Sequence, residues 1–348
     1  MSIVGDLYRG ESHIDFVSLA KKLLRVSIGL MLVGLVALVA RGLDLGIEFE
    51  GGVVWEVPAD GQVTDTELHD VLAEFGQDAR VQLVTGGSDF WRVRAQSSDF
   101  EEQEAITQAL AEAADVSVNE LGRTEVGPSW GDRVTSEAQK ALIWFFIIIA
   151  AYIAIRFTWK MALAALIAVV HDILLSVGFY ALFQIDVTPA TVIAFLTIMG
   201  YSLYDTLVVF DRVTENTIIA EKGRLTYDEM LNVSMNQVVM RSVNTSITST
   251  LPVMTMLVVG AWIMGAGALQ EFAVALLVGI IAGAYSSMFV AAPVLGILRN
   301  REPEWQRRVE LAQRGATAGS ITEARKALSA SQYNRAAAPR PRKMGKKR

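Results

Sequence analysis

The chain has 348 residues, of which 52% are hydrophobic and 20% charged, and it contains no cysteine, which excludes disulfide staples, thiolate metal sites and cysteine nucleophiles. A net charge of −6 conceals two opposed regions: residues 42–139 carry 21 acidic side chains against five arginines and no lysine, and residues 299–348 carry 14 basic against four acidic. The apolar residues gather in long blocks with the charge between them, the pattern of a chain that crosses a bilayer several times.

In chain order, a basic N-terminus (1–22) precedes a first apolar block, expected as a membrane helix over 23–41. Its basic-then-apolar order is shared by signal peptides. The block is long enough to span, however, and more spans follow, so a retained anchor is expected. The acidic segment 42–140 reads as one small α/β domain. Gly52–Val57 alternates like a strand, and Thr64-Asp65-Thr66-Glu67 has capping-box spacing for a helix to about Phe75. Arg80–Thr85 and Phe90–Ala95 read as strands around a Gly86-Gly87-Ser88-Asp89 turn. Phe100–Ala114 reads as a helix, and Val116–Val126 supplies a last strand. The order β-α-β-β-α-β predicts a split-βαβ, ferredoxin-like unit.

Five further spans are expected over 141–157, 161–183, 187–210, 246–269 and 272–298, with a loop over 211–245. The 156–160 turn and the 211–241 loop are basic, the latter through Arg212, Lys222, Arg224 and Arg241. The 184–188 turn carries only Asp186, and the 265–271 turn has no base. Positive-inside counting therefore expects both termini in the cytoplasm and 42–140 outside. The fold class is thus a polytopic α-helical membrane protein with six transmembrane helices and one extracytoplasmic α/β domain between the first two. Residues 299–348 read as a basic, disordered cytoplasmic tail. Its charge suits either contact with anionic lipid or RNA or a plain positive-inside anchor.

Common enzyme motifs are missing: there is no G-x-x-x-x-G-K-[ST] phosphate loop and no H-E-x-x-H zinc helix. Tyr204-Asp205 resembles half of an intramembrane aspartyl-protease site, but no later G-x-G-D completes it. No enzyme activity, cofactor or metal is expected. What stands out instead is polar groups in apolar spans. At ~1.5 Å per residue, Asp172 lies ~18 Å past Lys160, and Asp205 lies ~10 Å before Arg212. A carboxylate at such depth costs about 2.5–3.5 kcal/mol and needs a partner or a task. Asp205 reads equally as half of an ion pair with Arg241 or as a protonatable group in an ion path. Arg241 reads on position alone as a snorkelling interfacial arginine. His171 reads as a hydrogen-bond partner of Asp172 or of a backbone carbonyl. The hydroxyl run Thr245, Ser246, Thr248, Ser249, Thr250 either packs helices or lines a wet path, and Pro252 should loosen that helix. Gly279-Ile280-Ile281-Ala282-Gly283 matches the G-x-x-x-G packing pattern.

Three stretches together resemble the SecF family. They are Gly46-Ile47-Glu48-Phe49-Glu50-Gly51-Gly52; Gly200-Tyr201-Ser202-Leu203-Tyr204-Asp205-Thr206 through Val208-Val209-Phe210-Asp211-Arg212-Val213-Thr214-Glu215-Asn216; and Arg241-Ser242-Val243-Asn244-Thr245-Ser246-Ile247-Thr248. Two positions depart from the family pattern: Tyr204 stands where asparagine is usual, and Glu48 where aspartate is usual. The resemblance implies a bacterial inner-membrane subunit that works with SecD, the SecYEG translocon and YajC on an unfolded preprotein. It implies that proton or sodium flow drives late translocation. It also implies that Asp205 is the titrating carboxylate and Arg241 its electrostatic partner. Asp172, His171, Asp211, Arg212, Glu215, Asn216, Thr245 and Thr248 would form the supporting network, with Gly51 and Gly52 as a hinge. The competing readings are a stand-alone resistance-nodulation-division exporter, disfavoured by six spans where twelve are usual, and a passive translocon scaffold.

Overall fold

The structure is a computed structural model, and it describes residues 12–59, 63–77, 80–85, 89–97, 99–220, 225–264, 266–313, 323, 324 and 326. The expected glycine turn at 86–88, the bases Lys222 and Arg224, and most of the tail beyond 313, Ala336–Arg348 included, lie outside them. Among the described residues, six helices are long and apolar enough to cross a membrane. The first, α1 (Phe16–Arg41), starts earlier than the hydropathy suggests because Asp15 caps it, its side chain accepting from the Ser18 amide. A one-turn helix α2 (Ile47–Glu50) leads into the small domain.

That domain runs β1 (Gly52–Pro58), α3 (Asp65–Glu74), β2 (Arg80–Val84), β3 (Phe90–Ala95), α4 (Phe100–Ala113) and β4 (Gly122–Val126). The strands pair antiparallel in the order β2-β3-β1-β4, as the split-βαβ reading expects. Thr64 and Glu67 do form the capping box that opens α3. Trp55, Val53, Val57 and Val93 from the sheet pack on Leu68, Leu72, Ile106 and Leu110 from the helices. The Trp55 indole donates to Thr107 Oγ1 at 2.8 Å, so the largest side chain of this core leaves no unpaired N–H.

The bundle consists of α1, α5 (Pro128–Arg156), α6 (Trp159–Phe183), α7 (Pro189–Ala220), α8 (Tyr227–Thr255) and α9 (Gly267–Ser286). Past Thr255, α8 relaxes into a π-helix over Met256–Ile263, just beyond Pro252, whose missing N–H breaks the regular ladder. After α9, a second π-turn (Ser287–Ala291) leads into α10 (Ala292–Arg299). The glycine pair of α9 serves close approach within this chain. A Cβ on Gly283 would stand 2.7 Å from that of Ser202, and Gly279 abuts Ile198, both on α7. Gly34 of α1 and Gly178 of α6 meet backbone to backbone in the same way.

Two expectations are corrected. The segment 211–245, read as a loop, is mostly helix: α7 continues to Ala220, and α8 begins at Tyr227 behind a Thr226–Glu229 capping box. Hydropathy reports where a helix leaves apolar surroundings, and charged side chains along these ends bond to one another instead of ending the helix. The tail is also ordered over its first part. Helix α11 (Pro303–Gln313) inserts Trp305, 2% exposed, edge-on against Tyr227. Arg308 covers that indole at 4.4 Å and donates to the Ala220 carbonyl at 2.8 Å, closing the end of α7.

Candidate functional site

Two carboxylates sit inside the bundle. Asp172 on α6 is 4% exposed, and its Oδ2 accepts from Ser202 Oγ of α7 at 2.6 Å and from Ser286 Oγ of α9 at 2.8 Å. Its Oδ1 lies 3.1 Å from His171 Nδ1, and His171 Nε2 is bonded to Ser27 Oγ of α1. The His171 ring also stacks on Tyr285, centroid to centroid 5.7 Å. One hydrogen-bonded cluster therefore joins α1, α6, α7 and α9. No lysine or arginine pairs with it among the described residues. His171 does bond Asp172, as one of its two readings has it.

Asp205 on α7 is 9% exposed. Its Oδ1 accepts from Ser242 Oγ of α8 at 2.7 Å, while its Oδ2 has no hydrogen-bond partner. Ser287 stands near this carboxylate but donates its hydroxyl to Gly283 O at 2.9 Å, with Thr206 Oγ1 3.0 Å from the same oxygen. The ion pair with Arg241 does not form. Arg241 is one residue before Ser242, and the helical turn points it the other way, into a cleft of about 500 Å3 lined by Tyr152, Arg156, Tyr204, Asp211 and Arg212. Its charge acts on Asp205 only through space. Tyr204, where the family usually has asparagine, is half exposed in that cleft. Ser202, Asp205, Thr245, Ser246 and Ser249 line a smaller cleft of about 30 Å3, so part of the hydroxyl run does face the carboxylate. Thr248 is exposed and bonds back to the Asn244 carbonyl.

The residues at the far end of α7 are brought together around one side chain that sequence reading missed. Gln237 Oε1 of α8 accepts from Arg212 Nε at 2.7 Å and from Asn216 Nδ2 at 2.8 Å. Asn216 also donates to Ser234 at 2.8 Å, and Arg212 to Glu215 at 2.5 Å. Asp211 faces Arg156 of α5 at 3.5 Å. Gln237, Ser27, Ser202, Ser242 and Ser286 carried no charge signal. A serine such as Ser286, three helices on from Asp172, declares itself only when the helices are packed.

Where the small domain meets the bundle, charge is handled differently. Arg94 of β3 pairs with Asp44, and Arg80 of β2 pairs with the same carboxylate. Arg94 also donates to the Leu45 carbonyl at 2.9 Å and lies 3.5 Å from Asp186. Arg92 pairs with Glu271 at 3.0 Å and Asp186 at 3.6 Å. Burial pushes the Asp186 carboxyl up to about 6, with Arg94 and Arg92 pulling it down and Asp44 and Glu271 adding to the rise. Backbone bonds from Val187 N to Asp44 O, 2.7 Å, and from Gly46 N to Val187 O, 2.9 Å, tie the same two segments. Gly51 and Gly52 follow at φ +78° and +126°, conformations that favour glycine. A Cβ on Gly52 would stand 2.7 Å from the Ala95 carbonyl. Glu48 folds its carboxylate back against Gly46.

A six-helix membrane bundle with uncompensated carboxylates in its interior and a split-βαβ domain after its first helix has the build of a membrane transport protein rather than of a soluble binding module. The model of the C-terminal domain of the protein export membrane proteins SecD/SecF matches residues 105–301, and that of the SecD/SecF GG motif matches residues 36–63. The chain is 41% identical to the protein translocase subunit SecF of Streptomyces coelicolor, over 91% of this chain and 86% of that one. It is 35% identical to the subunit SecF of Mycobacterium tuberculosis strain H37Rv, over 86% and 70%. The crystal structure of SecDF, a translocon-associated membrane protein from Thermus thermophilus, superposes with a TM-score of 0.72 at 29% identity. That match covers 84% of this chain and 39% of that one, so this chain spans about two fifths of SecDF. The chain belongs to the SecF family of protein translocase subunits.

Proposed function

We propose that this subunit converts ion flow across the cytoplasmic membrane into late preprotein translocation, with Asp205 as the group that binds the coupling ion. The observation that carries the reading is the state of Asp205: buried between α7 and α8, bonded by a single hydroxyl, with Oδ2 free. A carboxylate so held gives up or takes on a positive charge without breaking an ion pair, and moving one charge through 100 mV supplies ~2.3 kcal/mol. Arg241 acts as its through-space counter-charge, and the Arg212–Gln237–Asn216 node ties the ends of α7 and α8 so that they move together. Asp211, Glu215, Thr245 and Thr248 complete the surrounding polar frame. Gly51 and Gly52 form the pivot of the small domain.

In this reading the domain at 42–140 lies outside the membrane, both termini lie in the cytoplasm, and the five-helix part of the bundle spans 141–298. The partners are SecD, the SecYEG translocon with YajC, and an unfolded preprotein. The test is pulse-chase export of a secreted precursor in cells whose only copy carries Asp205→Asn, with membrane level and SecD co-purification followed in parallel. Normal assembly with slow export that no longer responds to membrane potential is the expected result. Normal assembly with normal export would leave the passive scaffold as the better account.

A further inference from the structure

Resting on the ion-coupled reading of Asp205, we infer that the His171–Asp172 pair is a second proton-holding station in series with it, joined through the Ser202 hydroxyl. Three observations converge on this pair. Asp172 is a buried carboxylate whose partners are an imidazole and two hydroxyls, so its negative charge is met by no fixed cation. A buried His–Asp pair is cheapest to hold when it is neutral overall, with one mobile proton shared between the carboxylate and the ring. Ser202 touches both stations: its hydroxyl bonds Asp172 at 2.6 Å, and the residue lines the small cleft that Asp205 also lines. That cleft, about 30 Å3 and edged by Thr245, Ser246 and Ser249, has room and polar partners for one water.

The transfer balances as follows. The Asp205 carboxyl gives its proton to a water in the cleft, and that water passes one to Ser202 Oγ. Ser202 passes its original proton to Asp172 Oδ2. One proton has then moved from Asp205 to Asp172, and the water and the hydroxyl are restored. Asp172 then shares a proton with His171 Nδ1 through its other oxygen, Oδ1, while His171 Nε2 stays bonded to Ser27 Oγ; the proton is held on the pair and returns to Asp205 by the same path. Beside Ser27, the Tyr285 hydroxyl donates to the Leu23 carbonyl at 2.8 Å, nearer the start of α1. The route therefore runs from the α7–α8 face into the bundle and ends at the His171–Asp172 pair, beside Ser27 of α1. The titratable groups that face the pair are Tyr285 from α9 and, beyond Ser202, Asp205 from α7; α1 presents Ser27 and no charge.

The experiment is an infrared pH titration of the full chain reconstituted in phospholipid vesicles, reading the carbonyl stretch of protonated carboxylic acids. Two buried-acid bands are expected, one absent in Asp205→Asn and the other absent in Asp172→Asn. Asp172→Asn should move the midpoint of the Asp205 band by about one pH unit, as coupled sites do. His171→Gln should move the Asp172 midpoint and leave a folded, membrane-inserted protein; if Asp172→Asn fails to accumulate, this variant carries the test. An Asp172 that shows no protonation change, or whose removal leaves the Asp205 midpoint where it was, overturns the relay. Neither of those results touches the proposed role of Asp205, which stands or falls on the export assay.

Discussion

The bundle interior and the rim beneath the small domain both bury carboxylates, and they hold them in opposite ways. At the rim, Asp44, Asp186 and Glu271 are met by Arg80, Arg92 and Arg94, three charges against three. In the interior, Asp172 and Asp205 are met by serine hydroxyls and one imidazole. A guanidinium fork fixes where a carboxylate sits, whereas a lone hydroxyl leaves it freer to shift. The rim is tied by ion pairs, and the interior by hydroxyls alone apart from His171.

The largest effect expected from this contrast is at the rim. Arg94→Met leaves Asp44 and Asp186 buried with too little positive charge and should cost about 3–5 kcal/mol, read by thermal unfolding in lipid nanodiscs. Unchanged stability there would break the contrast outright. Next comes Ser242→Ala, which strips Asp205 of its one hydrogen bond and should cost about 1–3 kcal/mol. Asp205→Asn, by comparison, should barely alter stability while it slows export and removes its response to membrane potential. If Asp205→Asn instead unfolds the bundle, the interior carboxylate is structural after all.

A smaller effect follows from pH. Because the folded Asp186 carboxyl sits at about 6, above its ordinary value of 3.8, its contribution to docking is full below pH ~4 and is lost as pH rises through about 6. Hydrogen exchange at the Gly46 and Val187 amides should therefore quicken between about pH 4 and pH 6 beyond its intrinsic rate, and Asp186→Asn should flatten that dependence. Smallest of all, Glu137→Gln at the exposed Lys140 pair should leave unfolding unchanged, which calibrates what an unburied ion pair is worth in this protein.

Much of this architecture is written in periodicity and punctuation. The alternation of Gly52–Val57 and the Thr64–Glu67 spacing announce the β1–α3 unit, and long apolar blocks announce the spans. The helical ends at 211–220 and 227–245 escaped because their polarity marks leaving the hydrocarbon, not leaving the helix. Trp305 was hidden in a stretch whose average composition is that of a solvated tail, since one indole packed on Tyr227 outweighs its charged neighbours only in three dimensions. At the site, Asp172 and Asp205 stand out because carboxylates are rare in apolar runs. Their partners Ser202, Ser242 and Ser286 do not, because serine is common in membrane helices and which acid it meets depends on helix packing.

The backbone bridge between Leu45 and Val187 has a mechanical corollary. Val187 lies in the short connection between α6 and α7, the two helices that carry Asp172 and Asp205. The small domain's entry at Phe49–Gly51 and its exit at Gly131 touch at one corner, a Cβ on Gly131 standing 2.7 Å from the Phe49 carbonyl, and Arg92 ties its sheet to Glu271 of α9. A load applied far out on the domain therefore arrives at that corner as torque, and the bridge delivers it as a pull on the crown of the α6–α7 hairpin. The bond between those two helices that such a pull would strain first is the one from Ser202 of α7 to Asp172 of α6.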